Sequence, residues 1–585
     1  MALVALAAAA PAASAQGTAG ELQAQVDALV DTTATQWSAL QRADDVFQNP
    51  YPWDVAAGHP SYAPPLLTYA LHQSGVRTGN PALVAAAERA WPRSVDPQRA
   101  SAFDMLGAAY AYAELPLSAE RRAQLGLYLA SYPIPINGRR CLLRRKCWSN
   151  LKLVDALAIL AITRLGTISS VTGPRLANPA AARAAAVAVV NKRVPQVSHR
   201  SLSARLRETH RLGAVISDPP RDPLAYHALS AFMLHEAVAL LGSEASRAAR
   251  RASADAIEAL STLMAPDGDV AYLGRGQGQV WVPALAAAAL AGAARDSFAT
   301  RPGLASRYLA GAQRAVERLG RLHTGAAGLQ LVPNAATRTT HDGIDGYASD
   351  VAYNGLALFG LIRTADALAA IPAAAVGTIP ADRRLTAVDN GAAGGIGIVG
   401  SGRVWLAVQR TSRDTRDVRL DAGALALKVR TAAGWTDLLA PRPLTFIAAG
   451  SSGPSLLRRG KALRPVGFGM EVGRRSADIS GGYYVKRRLH ARIGLRWRLT
   501  RDGARLTVTG APPGRRYRML AFTPEGTGTA ARRSLEANNA RWRFSAHVRV
   551  RRIPGYHSGP VERLDALEAV LRAPRSGRFA VRIGG

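Results

Sequence analysis

The chain has 585 residues, 48% of them hydrophobic, which is enough for two or more domains with full-size cores. Its net charge of +33 rests on 68 Arg and 6 Lys. A GC-rich genome also produces such an arginine excess, so the charge alone identifies no ligand. Beyond the N-terminus no stretch is long and apolar enough to cross a bilayer, and we expect no membrane span.

The N-terminus has the features of an export signal. An apolar segment ends in Ala13-Ser14-Ala15, an A-x-A cleavage site, and we interpret residues 1–15 as a signal peptide. The positively charged n-region is missing, so a start upstream of Met1 stays open, and an Ala-rich helix is the alternative interpretation. We expect a secreted or cell-envelope protein in which Cys141 and Cys147 pair, since their spacing does not suit a zinc site.

Helical periodicity predicts twelve helices in the first 370 residues. They cover roughly 21–43, 62–74, 80–91, 97–113, 118–131, 149–165, 180–192, 222–242, 244–264, 278–294, 303–322 and 349–364. Short links alternate with longer loops, which predicts six antiparallel hairpins. In a ring these form an (α/α) toroid over residues 16–370, whose six inner helices start at one rim, at about 62, 97, 149, 222, 278 and 349. A helical solenoid is the alternative, but the chain shows no fixed-length repeat.

A linker over residues 371–389 precedes a second domain of different character, residues 390–585. Alternating runs at 394–400, 403–411, 418–430, 490–500 and 504–510 predict an antiparallel β-sandwich. The tripeptide Arg501-Asp502-Gly503 is typical of a hairpin turn between two of these strands. The expected fold is therefore multidomain, a helical toroid followed by a β-sandwich.

The second domain is strongly basic. Residues 381–585 contain 39 Lys and Arg against 14 Asp and Glu, a net charge of +25, which leaves +8 for residues 1–380. A basic surface attracts polyanions such as acidic glycans, nucleic acid or anionic lipid. The run Arg541-Trp542-Arg543-Phe544 is compatible with a nucleic-acid contact. We favour a strand with one wet basic face and expect no nucleic-acid partner.

Polar and aromatic residues concentrate at the predicted inner-helix starts, whereas the helices themselves are mostly Ala, Leu and Val. The residues concerned are Trp148, Asn150, Tyr226, His227, Tyr272, Arg275, Gln277, Gln279, Trp281, His341, Asp345, Tyr347, Tyr353 and Asn354. Helix N-termini favour a bound carboxylate or sulfate and keep a nearby His neutral and usable as a base. Tyr can act as proton donor or base, Arg can clamp a carboxylate, and aromatic rings can stack on sugars. This set suits proton removal beside a carboxylate and elimination of a glycosidic oxygen, without a metal or other cofactor.

We predict that Asn150, His227, Arg275 and Tyr347 are catalytic and that the other ten residues bind substrate. Each assignment has a structural alternative. His227 can be a hydrogen-bonded core histidine, Asn150 a helix cap, and Arg275 an ion-pair partner of a nearby aspartate. Tyr226 faces a different side of its helix from His227, so we expect only one of the two to line the cavity.

With these features the chain resembles the toroid-plus-β-sandwich polysaccharide lyases: the chondroitin/hyaluronate, alginate and heparinase II/III-like groups. The resemblance covers the order of parts over nearly the whole chain. Those families use an Asn on one inner helix, a His and a Tyr on later ones and often an Arg. Here Asn150, His227, Tyr347 and Arg275 would meet that pattern. In the chondroitin/hyaluronate pattern the Tyr follows the His closely and precedes the Arg, an order that this chain does not keep.

The resemblance implies a secreted polysaccharide lyase that cleaves an acidic, uronate-containing glycan by β-elimination. A glycoside hydrolase on the same toroid is one alternative; it needs two carboxylates across the cavity, for which Asp267, Asp342, Asp345 and Asp350 are candidates. The other alternative is a non-catalytic envelope protein that binds anionic glycan through its basic sandwich. In each case the expected partner is an acidic polysaccharide or a cell-envelope glycan.

Overall fold

The computed structural model describes most of the chain. The described residues are 17–47, 63–97, 101–131, 149–165, 179–195, 215–216, 224–274, 276–325, 328–331, 349–379, 384–389, 395–410, 422–440, 453–485, 488–556 and 564–585. The predicted signal peptide, Cys141, Cys147 and the predicted site residues Trp148, Arg275, His341, Asp345 and Tyr347 lie outside these ranges.

Within these ranges the chain up to residue 369 forms twelve α-helices, alternating between outer and inner positions. The outer helices are α1 (Ala19–Ala39), α3 (Pro81–Ser94), α5 (Ala119–Ala130), α7 (Pro179–Ala188), α9 (Arg247–Leu263) and α11 (Pro302–Leu322). The inner helices are α2 (Pro64–Thr78), α4 (Ala102–Glu114), α6 (Ser149–Leu165), α8 (Leu224–Leu241), α10 (Trp281–Phe298) and α12 (Asp350–Ala369). Side-chain caps from Thr18, Asn80, Ser101 and Ser349 fix the starts of α1, α3, α4 and α12, as their sequence positions predict.

The inner helices form a closed ring, because each packs against the next and α12 packs against α2. Tyr69, Tyr110, Phe232 and Phe359 come from four inner helices and contact one another edge to face. Gly355 of α12 lies against Leu67 of α2 near the N-termini, and Arg77 of α2 binds Asp366 of α12 near the C-termini, so these two inner helices run in the same direction. Since an outer helix returns the chain between successive inner helices, the inner N-termini lie at one rim. The predicted toroid is confirmed, and the solenoid alternative is wrong.

Two glycines allow the inner helices to approach closely near this rim. A Cβ on Gly107 of α4 would lie 2.5 Å from the backbone nitrogen of Leu66 in α2. A Cβ on Gly355 of α12 would lie 2.8 Å from the backbone nitrogen of Leu67. A larger residue at either position would push α2 away from its neighbour and open the ring.

Helix α8 is apolar on all sides because it lies inside the ring. In the part of the chain that the structure describes, the segment Leu224–Glu244 is the one candidate membrane span by length and composition. Its apolar window is 78% buried in the protein, as expected for a helix packed between α6 and α10. This burial accounts for its composition without a membrane.

The segment after α12 returns to the first helix and ties the two ends of the ring together. The N–H groups of Ala19 and Gly20 donate to the carbonyls of Ala374 (2.9 Å) and Pro372 (3.0 Å). The region predicted as a linker is therefore hydrogen-bonded to the toroid in its first half. Its last part, Arg384–Asp389, is already a strand of the second domain.

The strands form one small hairpin in the toroid and three antiparallel sheets after it. The hairpin pairs β1 (Thr324–Gly325) with β2 (Gly328–Leu329). The toroid-facing sheet has the order β3 (Arg384–Asp389), β4 (Gly395–Gly400), β5 (Val404–Arg410), β6 (Gly423–Thr431), β7 (Gly434–Asp437). The side sheet has the order β18 (Val548–Tyr556), β19 (Leu564–Arg572), β14 (Arg516–Pro524), β8 (Ser455–Arg458), β9 (Lys461–Leu463). The outer sheet has the order β10 (Val466–Val472), β11 (Ser476–Val485), β12 (Arg488–Leu499), β13 (Gly503–Thr509), β20 (Phe579–Gly584), β17 (Ala540–Phe544), β16 (Ser534–Ala537), β15 (Thr529–Ala531).

The toroid-facing sheet is buried on both faces. Along β5, Trp405 and Ala407 belong to a core shared with the toroid, while Val404, Leu406 and Val408 belong to the core shared with the outer sheet. This alternation is what the period of two in a strand requires. The predicted sandwich is therefore present, and it is attached to the toroid through one of its own sheets. The second face of the outer sheet is exposed.

A buried charge cluster joins the two domains at this sheet. Lys428 of β6 is fully buried, and its Nζ donates to Asp267 (2.9 Å) and Asp269 (3.3 Å) of the loop between α9 and α10 and to Asp437 (2.6 Å). Arg318 of α11 also binds Asp267 (2.6 Å) and Asp269 (3.4 Å). Burial alone would raise the pKa of Asp267, but the charges of Lys428 and Arg318 hold that pKa well below its usual value. Both domains therefore depend on one another for charge compensation.

We predict that Lys428→Met destabilises the protein by about 3–5 kcal/mol, because it leaves buried carboxylates without their ammonium partner. Urea unfolding of the full chain measures this loss. The matched control is Lys461→Met, which removes an exposed lysine from the same domain and should change the free energy of unfolding by less than about 0.5 kcal/mol. Equal stability of the two variants would show that the cluster does not hold the domains together.

Candidate functional site

The described site residues that sequence analysis singled out at helix starts lie at one end of the toroid. Asn150, Tyr226, Trp281 and Asn354 lie in the first turns of α6, α8, α10 and α12 respectively. Because these inner helices are parallel, the ring brings the four positions to the same rim. The described helix starts therefore share one rim, as the predicted toroid requires.

Below the rim, polar side chains of the inner helices bind one another. The rings of Tyr69 and Tyr110 pack edge to face, and their hydroxyls donate to Glu114 (2.6 Å) and Glu236 (3.1 Å) respectively. Arg363 binds Glu114 (2.8 Å) and lies over the ring of Tyr110. Burial raises the pKa of both tyrosines well above the ordinary value, so they stay protonated as donors. These described side chains are therefore engaged within the protein.

An aromatic cluster lines part of this rim. The ring of Trp281 packs edge to face against Tyr226 (5.5 Å between centroids) and Tyr353 (6.1 Å). Its Nε1 donates to the side-chain oxygen of Gln279 (2.7 Å), which fixes the indole. Gly276 packs directly against this cluster, since a Cβ there would lie 2.8 Å from the Cβ of Ala225, the residue before Tyr226. Three predicted substrate-binding residues are thus in contact, and Gln279 positions one of them.

Two buried amides at helix starts complete the polar part of the rim. Asn150 is the second residue of α6, and its Oδ1 accepts a hydrogen bond from the N–H of Leu151 (2.6 Å). The Nδ2 of Asn354 donates to the carbonyl of Asp350 (3.0 Å). In the described structure its Oδ1 is buried and has no hydrogen-bond partner. Such an unsatisfied acceptor is unfavourable by about 1–3 kcal/mol unless a donor from water or a ligand reaches it.

His227 is placed differently from the sequence-based prediction. It is fully buried; its Nδ1 accepts from the N–H of Ile216 (3.1 Å), and its Nε2 contacts the carbonyl of Ala256 (3.1 Å) as the donor. Both ring nitrogens are thus used by the main chain, and none is left to take a proton from a substrate. The structural alternative, a hydrogen-bonded core histidine, fits these contacts. Of the adjacent pair, Tyr226 is the residue at the rim cluster.

Two further predicted ligand contacts are used within the protein. Tyr272 donates its hydroxyl to the carbonyl of Leu263 (2.7 Å), and its ring packs against Trp405 of the toroid-facing sheet (5.3 Å between centroids). It is therefore part of the domain interface and not a platform for a sugar ring. Gln277 donates to the carbonyl of Gly274 (2.9 Å) and shapes its own loop. The ion pairs of Asp267 with Lys428 likewise remove it as a candidate acid for hydrolysis.

The sequence analysis did not anticipate a cavity of about 200 Å³ beside the starts of α2, α4 and α12. Its lining includes Asp45, Ser94, Asp96, Asp104 and Tyr128. Burial raises the pKa of Asp104 to about 6, although hydrogen bonds from Ser101 and the main chain oppose that rise. The capping-box pattern Ser101-x-x-Asp104 was the available signal, and it indicates only a helix start. The carboxylates of this cavity come from separate segments that the tertiary fold brings together, so no local sequence pattern predicts them.

Comparisons with known proteins find similarity in fold only. No family model matches the chain, and no curated protein matches it. A mutant chondroitin AC lyase of Streptomyces coelicolor is 13% identical, with a TM-score of 0.48 over 96% of this chain and 79% of the other. A chondroitin lyase that is a baculovirus envelope protein is 8% identical, with a TM-score of 0.43 over 97% and 84%. A cellobiose 2-epimerase of Spirochaeta thermophila is 15% identical, with a TM-score of 0.40 over 60% and 97%. At these identities no substrate or residue role transfers to this chain.

We predict that His227 supports folding at neutral pH. Burial lowers the pKa of its imidazole to about 4 from the ordinary value of about 6.5. Between these values the unfolded chain binds a proton that the folded protein does not, so the free energy of unfolding should fall by about 3 kcal/mol as pH drops from about 6.5 to about 4. Urea titrations should show that His227→Gln is less stable at neutral pH. They should also show that the variant has lost this part of the pH dependence of the free energy of unfolding.

The control for this prediction is His490→Gln, because His490 is exposed on the outer sheet and should leave the pH profile unchanged. A His227→Gln protein that keeps the stability and pH profile of the wild type but loses turnover would restore the catalytic assignment.

Proposed function

We propose that the protein is a polysaccharide lyase that cleaves an acidic, uronate-containing glycan by β-elimination at the open rim of its toroid. The observation that carries this proposal is the position of the rim residues. Tyr226, Trp281, Tyr353 and Asn354 lie in the N-terminal turns of three inner helices, where those helices converge. The described polar groups elsewhere in the ring, such as Tyr69, Glu114 and Arg363, bind one another, which favours the rim as the place where a polymer binds.

The first requirement of the reaction is to bind and neutralise the uronate carboxylate. Helix N-termini provide positive potential and unpaired N–H groups for an anion. The amides of Asn150 and Asn354 lie at two such N-termini, where they can donate to the carboxylate after a side-chain rotation. Neutralising this group stabilises the charge that develops when the neighbouring carbon loses its proton. Arg275 would act in the same way, and this assignment stays a prediction.

The second requirement is a base, and we assign it to Tyr226. Tyr226 lies in the first turn of α8, and its ring is held by Trp281 in the aromatic cluster. The phenolate would take the proton from C5 of the uronate. A double bond then forms between C4 and C5 as the bond from C4 to the glycosidic oxygen breaks, and that oxygen receives the proton. Tyr347, one of the four residues predicted from the sequence to be catalytic, is the alternative base to test beside it.

A glycoside hydrolase is the second candidate function, on account of the cavity that contains Asp104. A carboxyl group with a pKa raised to about 6 by burial has the property required of a general acid. Asp96 and Asp45 line the same cavity as possible second carboxylates. Against this role, Asp104 already accepts hydrogen bonds that cap α4. We therefore place it second.

We predict that the protein releases products that absorb in the near ultraviolet from a polyuronate, because β-elimination leaves an unsaturated sugar. Tyr226→Phe should lower this rate by about 100-fold or more, since it removes the proposed base but keeps the ring packing. Tyr112→Phe is the matched control, because Tyr112 lies beneath Arg122 away from the rim. Far-ultraviolet circular dichroism confirms that each variant is folded.

Other outcomes of this assay distinguish the alternatives. New reducing ends without ultraviolet absorbance, lost in Asp104→Asn and kept in Tyr226→Phe, would establish the hydrolase. A loss in Tyr347→Phe with full activity in Tyr226→Phe would move the base to Tyr347. No cleavage of alginate, hyaluronate, chondroitin or heparan sulfate would contradict the lyase proposal and favour a binding protein.

A further inference from the structure

Four arginines from four adjacent strands lie in one row across the outer sheet. The strand register pairs Arg498 with Arg505, Arg505 with Arg582, and Arg582 with Arg543. All four side chains are on the exposed face, because the residues that alternate with them are buried in the sandwich core. Neighbouring strands are about 4.8 Å apart, so the row spans about 15 Å. We call this set the arginine row.

The arginine row has fewer carboxylate partners than the neighbouring arginines on the same face of the sheet. Arg496 binds Asp478 (2.5 Å) and Arg541 lies near Glu536 (3.8 Å) on the same face. Within the row, Arg582 forms a bidentate pair with Asp502 (2.8 and 2.9 Å). Among the described residues, the other three members make no ion pair. Like charges directly opposite one another destabilise a sheet, so this row is maintained against a local repulsion that an anionic ligand would relieve.

The arginine row ends at a polar pocket of about 430 Å³. The amides of Asn538 and Asn539 and the carboxylates of Asp502 and Glu536 line it together with Arg541. Amides and carboxylates beside arginine offer partners for hydroxyl groups as well as for an anion. This mixture suits an acidic sugar better than a bare phosphate chain.

The aromatic residues next to the arginine row argue against nucleic acid. Trp542 and Phe544 alternate with Arg541 and Arg543 along β17 and are buried in the core. They provide no exposed ring on which a base could stack, which is the usual platform for a single strand. The surface thus offers charge and hydrogen bonds without stacking.

We propose that the arginine row and the adjoining pocket form a binding surface for an acidic polysaccharide, separate from the rim of the toroid. The toroid-facing sheet lies between the outer sheet and the toroid, so this surface is on the side of the sandwich away from the rim. A polymer bound here is held near the protein without occupying the rim. The surface does not depend on which reaction the rim performs, and a binding protein without activity would use it equally.

The test compares two triple variants of the full chain with the same change in charge. The first replaces the unpaired members of the arginine row: Arg498→Gln, Arg505→Gln and Arg543→Gln. The matched control replaces exposed arginines in three separate turns: Arg474→Gln, Arg532→Gln and Arg575→Gln. Both triple variants also carry Tyr226→Phe, so that alginate is not degraded during the measurement. The reference is the protein with Tyr226→Phe and all of its arginines. Binding of fluorescent alginate fragments is followed by anisotropy from low to physiological salt, with dextran as the neutral polymer and oligoadenylate as the nucleic acid.

We expect the row variant to bind alginate about tenfold more weakly at low salt, equivalent to ~1.4 kcal/mol, and to lose much of the salt dependence. The control variant should stay close to the reference, and dextran should bind to none of the proteins. The melting temperature of the row variant should equal or exceed that of the reference, because the repulsion within the row is removed. Equal losses in the two variants would overturn the proposal in favour of diffuse charge. Tighter binding of oligoadenylate than of alginate would assign the surface to nucleic acid instead.

Discussion

Lys428 carries its charge inside an interface that excludes water, and that position is tolerated only because aspartates from both domains surround it. Two of these, Asp267 and Asp269, belong to the loop that leads into α10. The same loop continues to Tyr272, which packs on Trp405, and then to Gly276, which packs on the rim cluster. The sandwich therefore holds, through one ammonium group, the segment that shapes the rim. A toroid without its sandwich would retain these aspartates without their compensating charge.

The ring explains where a ligand can bind. Its inner helices are apolar on nearly all sides because each is packed between two inner neighbours and an outer partner. Polar groups can then be accommodated only at the two ends. Toward the C-terminal end of the inner helices these polar groups bind one another, as Tyr69, Glu114 and Arg363 do. At the rim, the first N–H groups of the helices and the Oδ1 of Asn354 remain for water or a ligand to bind.

The basic residues described above fall into two groups with different surroundings. At the interface, Lys428 of the second domain and Arg318 of the toroid are matched by carboxylates. On the far side the members of the arginine row face solvent, and three of them have no carboxylate within reach among the described residues. A genomic preference for arginine accounts for the number of these residues. It does not account for their alignment on four adjacent strands, which depends on register.

The sequence by itself determined the elements and their order. Apolar periodicity and the hairpin turn at Asp502 are local properties of the chain, and they predicted twelve helices and the main strands at close to their observed positions. The candidate site was predicted as a region, since helix starts could be located, but not as a set of contacts. Tertiary structure alone decided that His227 is enclosed by main chain, that Tyr272 and Asp267 belong to the domain interface, and that four arginines line up. The reason is physical: burial, ion pairing and strand register are relations between residues far apart in the chain, and local pattern does not contain them.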